Sequence, residues 1–305
     1  MRVAAIDCGT NSIRLLIADS AADGLADVHR EMRVVRLGEG VDRTGSLAPQ
    51  AIERTRLALA DYAGLIARSG SQRLRMVATS ATRDAANRGD FVSMVQATLG
   101  VEPEVITGAE EAALSFAGAI AELSGVDGPV LLADIGGGST ELVLGEQWPG
   151  PLRSHSMDVG CVRMSERHLH DDPPTPDQVA AATADLRSAI AAAAADVPLD
   201  TGAALVGVAG TVTTIAAIAL GLEHYDSDAI HGSVMSAAQV DDITARLLAM
   251  THVQRAAMPV MHPGRVDVIA GGALVLRCLV EATGAPEVVA SEHDILDGIV
   301  LGLCA

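Results

Sequence analysis

The chain has 305 residues, half of them hydrophobic, with a net charge of −18 and every basic side chain an arginine; that acidity argues against broad nucleic-acid binding. Only five aromatic residues occur, Tyr62, Phe91, Phe116, Trp148 and Tyr225, which leaves little for base stacking. No apolar run reaches the ~18 residues of a membrane span, residues 1–18 are too broken by charge for a signal peptide, and Cys8, Cys161, Cys278 and Cys304 lack metal or disulfide spacing, so a cytoplasmic protein with reduced thiols and no membrane partner is expected.

In chain order, residues 2–6 read as a short apolar strand ending on Asp7. The turn Cys8-Gly9-Thr10-Asn11-Ser12 follows, then a second strand over 13–18. Residues 28–37 continue that sheet. Helical spacing is found over 51–67 and 90–99, and strands are expected at 75–78 and 104–106. Thr107 and Glu110 have the spacing of a capping box. If Glu110 is used in that cap, Glu111 points elsewhere; the plainer alternative is an acid in a first helical turn, which the helix dipole favours.

Residues 124–128 (SGVDG) read as a link between lobes, dividing the chain into 1–123 and 124–305, with any hinge in 122–129. Residues 130–145 (VLLADIGGGSTELVLG) then form strand, tight turn, strand. Gly136, Gly137 and Gly138 allow backbone N–H groups to approach an anion closely, and Asp134 at the strand end is suited to a cation. An ordinary hairpin turn is the competing reading. A P-loop or dinucleotide fingerprint requires the glycine turn to open a helix, whereas Glu141-Leu-Val-Leu is strand-like and the chain has no lysine.

The two hairpins share a pattern: Asp7-x-Gly9-x-x-Ser12 matches Asp134-x-Gly136-x-x-Ser139. This repeat predicts two related lobes, each opening with an acidic phosphate hairpin, facing each other across a cleft. Further along, a strand is expected at 152–157 and a short helix at 162–168. The cluster His168, His170, Asp171, Asp172 before two prolines reads as an exposed loop rather than a metal site. Thr175 starts a helix to about residue 195. The strand Ala204–Val208 meets Gly210-Thr211 and a helix over 212–220, a strand–helix junction suited to anions. Ser236 and Gln239 form another capping box. Residues 266–280 are apolar nearly all round and predict a buried helix. A last strand at 287–290 precedes a short final helix capped by residues 291–294.

Taken together, DCGTNS at 7–12, ATSATRDAANR at 78–88, TGAEEA at 107–112, DIGGGSTEL at 134–142, VAGTVTT at 208–214 and HPGRVDVIAGG at 262–272 resemble the exopolyphosphatase / guanosine pentaphosphate phosphatase (Ppx/GppA) family. The chain is similar to its short two-domain members, common in actinobacteria. The resemblance implies an α/β, duplicated ribonuclease-H-like fold of the actin-like (ASKHA) phosphotransferase superfamily, two-lobed with a central cleft. It implies removal of the terminal phosphate of polyphosphate, or the 5′ phosphate of pppGpp, with Mg²⁺ or Mn²⁺.

The family's catalytic glutamate falls on Glu111, the acid that the capping pattern leaves spare. Phosphate contacts fall on Gly9, Thr10, Asn11, Ser12, Arg83, Gly136, Gly137, Gly138, Ser139, Gly210 and Thr211. Asp7, Asp134 and Glu141 are the expected metal ligands. Arg14, Arg88, Arg163 and Arg265 are further arginines with no readable position. The family's Leu-Arg-Glu-Gly near the C-terminus is here Leu296-Asp297-Gly298, with an acid where a base is usual. Short-chain polyphosphate is the expected substrate and pppGpp the alternative. A small-molecule kinase of the same superfamily and a non-catalytic alarmone-binding module are the readings from other classes. The apolar composition allows a homodimer.

Overall fold

The computed structural model describes residues 1–21, 24–121, 123, 126 and 128–304. The chain divides into two compact units, Met1–Gly118 with Ile295–Ala305, and Ala119–Asp294.

In the first unit, β1 (Arg2–Cys8), β2 (Ser12–Ala21) and β3 (Gly24–Val34) form an antiparallel meander. β4 (Arg73–Ala78) lies parallel to β1, and β5 (Glu104–Val105) parallel to β4, giving the order β3-β2-β1-β4-β5. The central strands are covered on both faces, which is why they read as continuous apolar runs. Strand side chains alternate. Ala4, Ile6, Ile13, Leu15 and Ile17 therefore join one core with Leu59, Tyr62 and Phe91, while Val3, Ala5, Leu16 and Ala18 join another with Val77 and Ile106. The Pro49–Ser69 helix on the first of these faces starts on proline and ends at Gly70, whose φ of 72° is left-handed.

The second unit repeats this plan. β6 (Val130–Ile135), β7 (Thr140–Gly145) and β8 (Arg153–Met157) form an antiparallel meander. β9 (Ala204–Val208) is parallel to β6. β10 (Val234–Ser236) pairs antiparallel with β11 (Glu287–Ala290), which is parallel to β9. The order β10-β11-β9-β6-β7-β8, read from β8, is that of the first sheet with one strand added. The duplication predicted from the two Asp-x-Gly-x-x-Ser hairpins is therefore present in the topology.

Helices fall close to their predicted places. The expected capping box of Ser236 with Gln239 is formed, and the helix start at Thr175 is closed by a box with Gln178. The helix expected over 212–220 is Ala209–Ala219, starting directly at the end of β9, and the one expected over 266–280 is Ile269–Thr283. Among the described residues, no helix is long and apolar enough to cross a membrane.

The boundary needs one correction. Dividing the chain into 1–123 and 124–305 assigns the last helix, Ile295–Cys304, to the second lobe, yet it packs in the first unit. Its residues Ile295, Leu296, Ile299, Val300 and Leu303 cover the β1–β2 face lined by Val3, Ala5 and Leu16. That face would otherwise expose an apolar surface, and no local pattern in the last helix signals this distant partner. The expected hinge at 122–129 falls largely outside the described residues.

Candidate active site

In each unit the hairpin turn closes in the same way. The Gly9 N–H donates to Ser12 O at 2.9 Å, and the Gly136 N–H to Ser139 O at 3.0 Å. A segment outside the hairpin then takes up the turn's carbonyls. In the first unit, the N–H groups of Val35 and Arg36 donate to Asn11 O (3.0 and 2.8 Å), and that of Gly38 to Thr10 O (2.8 Å). In the second, the start of the Cys161–His168 helix does this. The Cys161 N–H donates to Gly136 O (2.9 Å), and those of Val162 and Arg163 to Gly137 O (2.9 and 3.1 Å).

Two glycines permit these approaches. A Cβ on Gly38 would lie 2.3 Å from Thr10 Cγ2, and one on Gly160 would lie 2.6 and 2.7 Å from Gly137 O and Gly136 O. Sequence reasoning missed both, since each is a single glycine whose contact is made in space. Thr10 also shares a hydrogen bond with Ser80 (Oγ1 to Oγ, 2.8 Å), which opens the Ser80–Asp84 helix after β4. Thr140 Oγ1 donates to Val159 O at 2.7 Å, and Ser139 is buried.

The hairpins differ in charge at matching places. In β1–β2, Asp7 stands opposite Arg14, whose Nε and Nη2 donate to Asp7 Oδ2 at 3.0 and 2.7 Å. In β6–β7, Asp134 stands opposite Glu141. Both of these carboxylates are buried, and Glu141 Oε1 accepts from Ser156 Oγ on β8 at 2.7 Å. Two acids opposed across an antiparallel pair repel one another, which makes this hairpin suited to a cation.

Among the described residues no three His, Cys, Asp or Glu side chains gather into an ion cage. Mg²⁺ does not require one; one or two carboxylates, with waters and substrate phosphate, ordinarily hold it. The Asp134–Glu141 pair fits that donor set. Asp7, the third expected ligand, has one oxygen engaged by Arg14.

The Gly108–Ala121 helix carries the predicted base. Its cap forms as the sequence suggests. Glu110 Oε2 accepts from the Thr107 N–H and Oγ1, both at 2.9 Å, and the Glu110 N–H donates to Thr107 Oγ1 at 3.2 Å. These bonds, the backbone one first, hold the Glu110 carboxyl below its ordinary pKa. Glu110 thus faces solvent as a capping anion. Glu111 is buried, and its Oε2 accepts from Arg83 Nη1 at 3.1 Å. Arg83 Nη1 also donates to Ile106 O at 2.9 Å. The arginine expected on phosphate therefore touches the expected base, tying the Ser80–Asp84 helix to the Gly108–Ala121 helix.

In the second unit, Gly210 lies in the first turn of the Ala209–Ala219 helix, after Ala209 in a left-handed conformation (φ 67°). A Cβ on Gly210 would sit 2.2–2.5 Å from the Arg265 guanidinium, so the arginine lies directly across this glycine. Arg265 Nη1 donates to Thr214 Oγ1 at 3.0 Å, which donates to Gly210 O at 2.6 Å. A cation thus sits at the expected anion junction, on a residue that sequence alone leaves unplaced. Thr211 is buried, against Gly272 and the Cys161 thiol. Burial pushes that thiol up to about 11 despite the hydrogen bond with Thr211. The cluster at 168–172 splits among separate partners, His168 with Asp185, Asp171 with Gln178 and Asp172 with Arg255, as a structural loop would.

Comparison with known proteins gives the family. Exopolyphosphatase 2 of Mycobacterium tuberculosis is 53% identical over 316 aligned positions, covering 99% of this chain and 98% of that protein. The crystal structure of an exopolyphosphatase-like protein superposes with a TM-score of 0.94 at 44% identity, covering 99% of this chain and 97% of that one. That of an Aquifex aeolicus Ppx/GppA family member gives 0.81 at 29% identity, covering 100% and 97%. Residues 16–304 match the Ppx/GppA phosphatase family, and the chain belongs to that family.

Proposed function

We propose that this chain is an exopolyphosphatase that hydrolyses the terminal phosphate of short inorganic polyphosphate, with Glu111 as general base. The observation that carries the assignment of the base is the division of labour on one helix: Glu110 is consumed by its cap, and Glu111 is buried and held by Arg83. Phosphoryl transfer to water spreads charge over the phosphate oxygens, so catalysis is mainly positioning and electrostatics. Glu111 orients the attacking water and takes its proton. Backbone N–H groups of the Gly9–Ser12 turn and of the Gly136–Ser139 turn, with Asn11 and Arg83, hold phosphate oxygens. Gly210, with Arg265 across it, offers a further anion contact. Mg²⁺, or Mn²⁺ in its place, would be held by Asp134 and Glu141 and would neutralise charge on the transferring phosphate.

Polyphosphate is favoured over pppGpp by where the aromatic residues lie. Tyr62, Phe91 and Phe116 are fully buried, leaving Trp148 and Tyr225, 43% and 40% exposed, as surface rings for a guanine. The Tyr225 hydroxyl is itself tied to Thr213 and Glu292. The test is Mg²⁺-dependent phosphate release from short polyphosphate, long polyphosphate and pppGpp. The highest kcat/KM is expected on short polyphosphate; a preference for pppGpp would overturn the substrate assignment.

A further inference from the structure

The last helix comes unusually close to the helix that carries Glu111 at Gly298. A Cβ placed on Gly298 would lie 2.0 Å from Leu114 O, 2.8 Å from its carbonyl carbon and 3.1 Å from its Cα. Leu114 follows Glu111 by less than one helical turn. The obstacle is backbone, so no side-chain rotation relieves it. Next to Gly298, Asp297 is buried and bonded to Arg30 of β3, with Nη2 to Oδ1 at 2.5 Å and Nη1 to Oδ2 at 3.3 Å. Arg30 is in turn held by Asp27 at 2.7 Å. The pair fixes the rotation of the last helix on the sheet, and that rotation decides which residue faces Leu114.

We infer that Gly298 is a positioning residue for Glu111, seating the Gly108–Ala121 helix backbone-to-backbone on a last helix that the Arg30–Asp297 pair locks to the sheet. The inference rests on Glu111 being the general base. Any side chain at 298 pushes the Glu111 helix away by roughly 1 Å or more before ordinary contact is restored. The base then loses its line to the attacking water, while phosphate contacts made by other elements are kept.

The test compares Gly298→Ala with Gly302→Ala, one turn further on, where a Cβ would meet only Arg75 Nη1 at 4.0 Å. Gly298→Ala is expected to lower kcat on short polyphosphate by about 10²-fold and leave KM within about threefold. The acid limb of its kcat profile, which reports the base, should move. Gly302→Ala should match the wild type in both. Should Gly298→Ala fail to fold, Arg30→Gln is read instead, with kcat expected to fall roughly 10-fold at unchanged KM. Wild-type kcat in the variant that is read, beside an inactive Glu111→Gln, overturns the positioning role alone. Wild-type kcat in Glu111→Gln overturns the base assignment and this inference with it.

Discussion

Replacing Gly160 with alanine probes how the second hairpin is held. Gly160 has an extended backbone (φ −162°, ψ 173°) that any residue can adopt, so the effect is steric alone. The new Cβ would stand 2.6–2.7 Å from Gly137 O, Gly136 O and the Gly137 carbonyl carbon. The Cys161–His168 helix must then withdraw, stretching the three N–H···O bonds that its first residues donate to the turn. At ~1 kcal/mol net for each bond, the loss is roughly 2–3 kcal/mol. The more restricted unfolded chain offsets about 0.4–1 kcal/mol of that. For a chain of 305 residues, the net 1–3 kcal/mol corresponds to a fall in melting temperature of about 2–5 °C. The turn's N–H groups shift with its carbonyls, so kcat/KM should fall by about 10²-fold. Thermal unfolding followed by circular dichroism, with phosphate release from short polyphosphate, reads both effects. Gly89→Ala, in a helix where a Cβ meets nothing within 4 Å, is the control and should be neutral or stabilising. Wild-type melting and wild-type kcat/KM in Gly160→Ala would refute the reasoning.

Other outcomes follow from the same contacts. Ser156→Ala removes the hydroxyl that orients Glu141; the Mg²⁺ concentration for half-maximal activity should rise about 10-fold, and an unchanged Mg²⁺ dependence would count against Glu141 as a ligand. Burial raises the thiols of Cys8, Cys161 and Cys278, the last two to about 11. A thiol reagent at pH 8 should therefore label the half-buried Cys304 first in the native protein, since the thiolate is the reactive form; faster labelling of Cys161 would contradict its packing against Thr211.

What was legible in the sequence was local. The Asp-x-Gly-x-x-Ser turns between apolar runs give strand, turn and strand within sixteen residues, and their repetition announces the duplicated topology. The Thr107–Glu110 spacing separates a capping acid from a spare one because a capping box is completed within four residues. What was hidden depends on distant partners. Arg30 and Asp297 meet 267 residues apart, so an acid that looks out of place in Leu296-Asp297-Gly298 is the buried partner of an arginine on β3. Gly38 and Gly160 carry no signal until the segments they admit are folded against the turns. Arg14 opposite Asp7, against Glu141 opposite Asp134, lies in register within each hairpin; the difference in charge takes on meaning only once the strands are paired.

The most direct test of Glu111 as the base is steady-state phosphate release from short polyphosphate by Glu111→Gln, which keeps the shape of the side chain and removes its basicity. The account predicts that kcat falls by about 10²–10⁴-fold while KM, Mg²⁺ binding and thermal unfolding stay near wild type. A Glu111→Gln enzyme that turns over at the wild-type rate would contradict it.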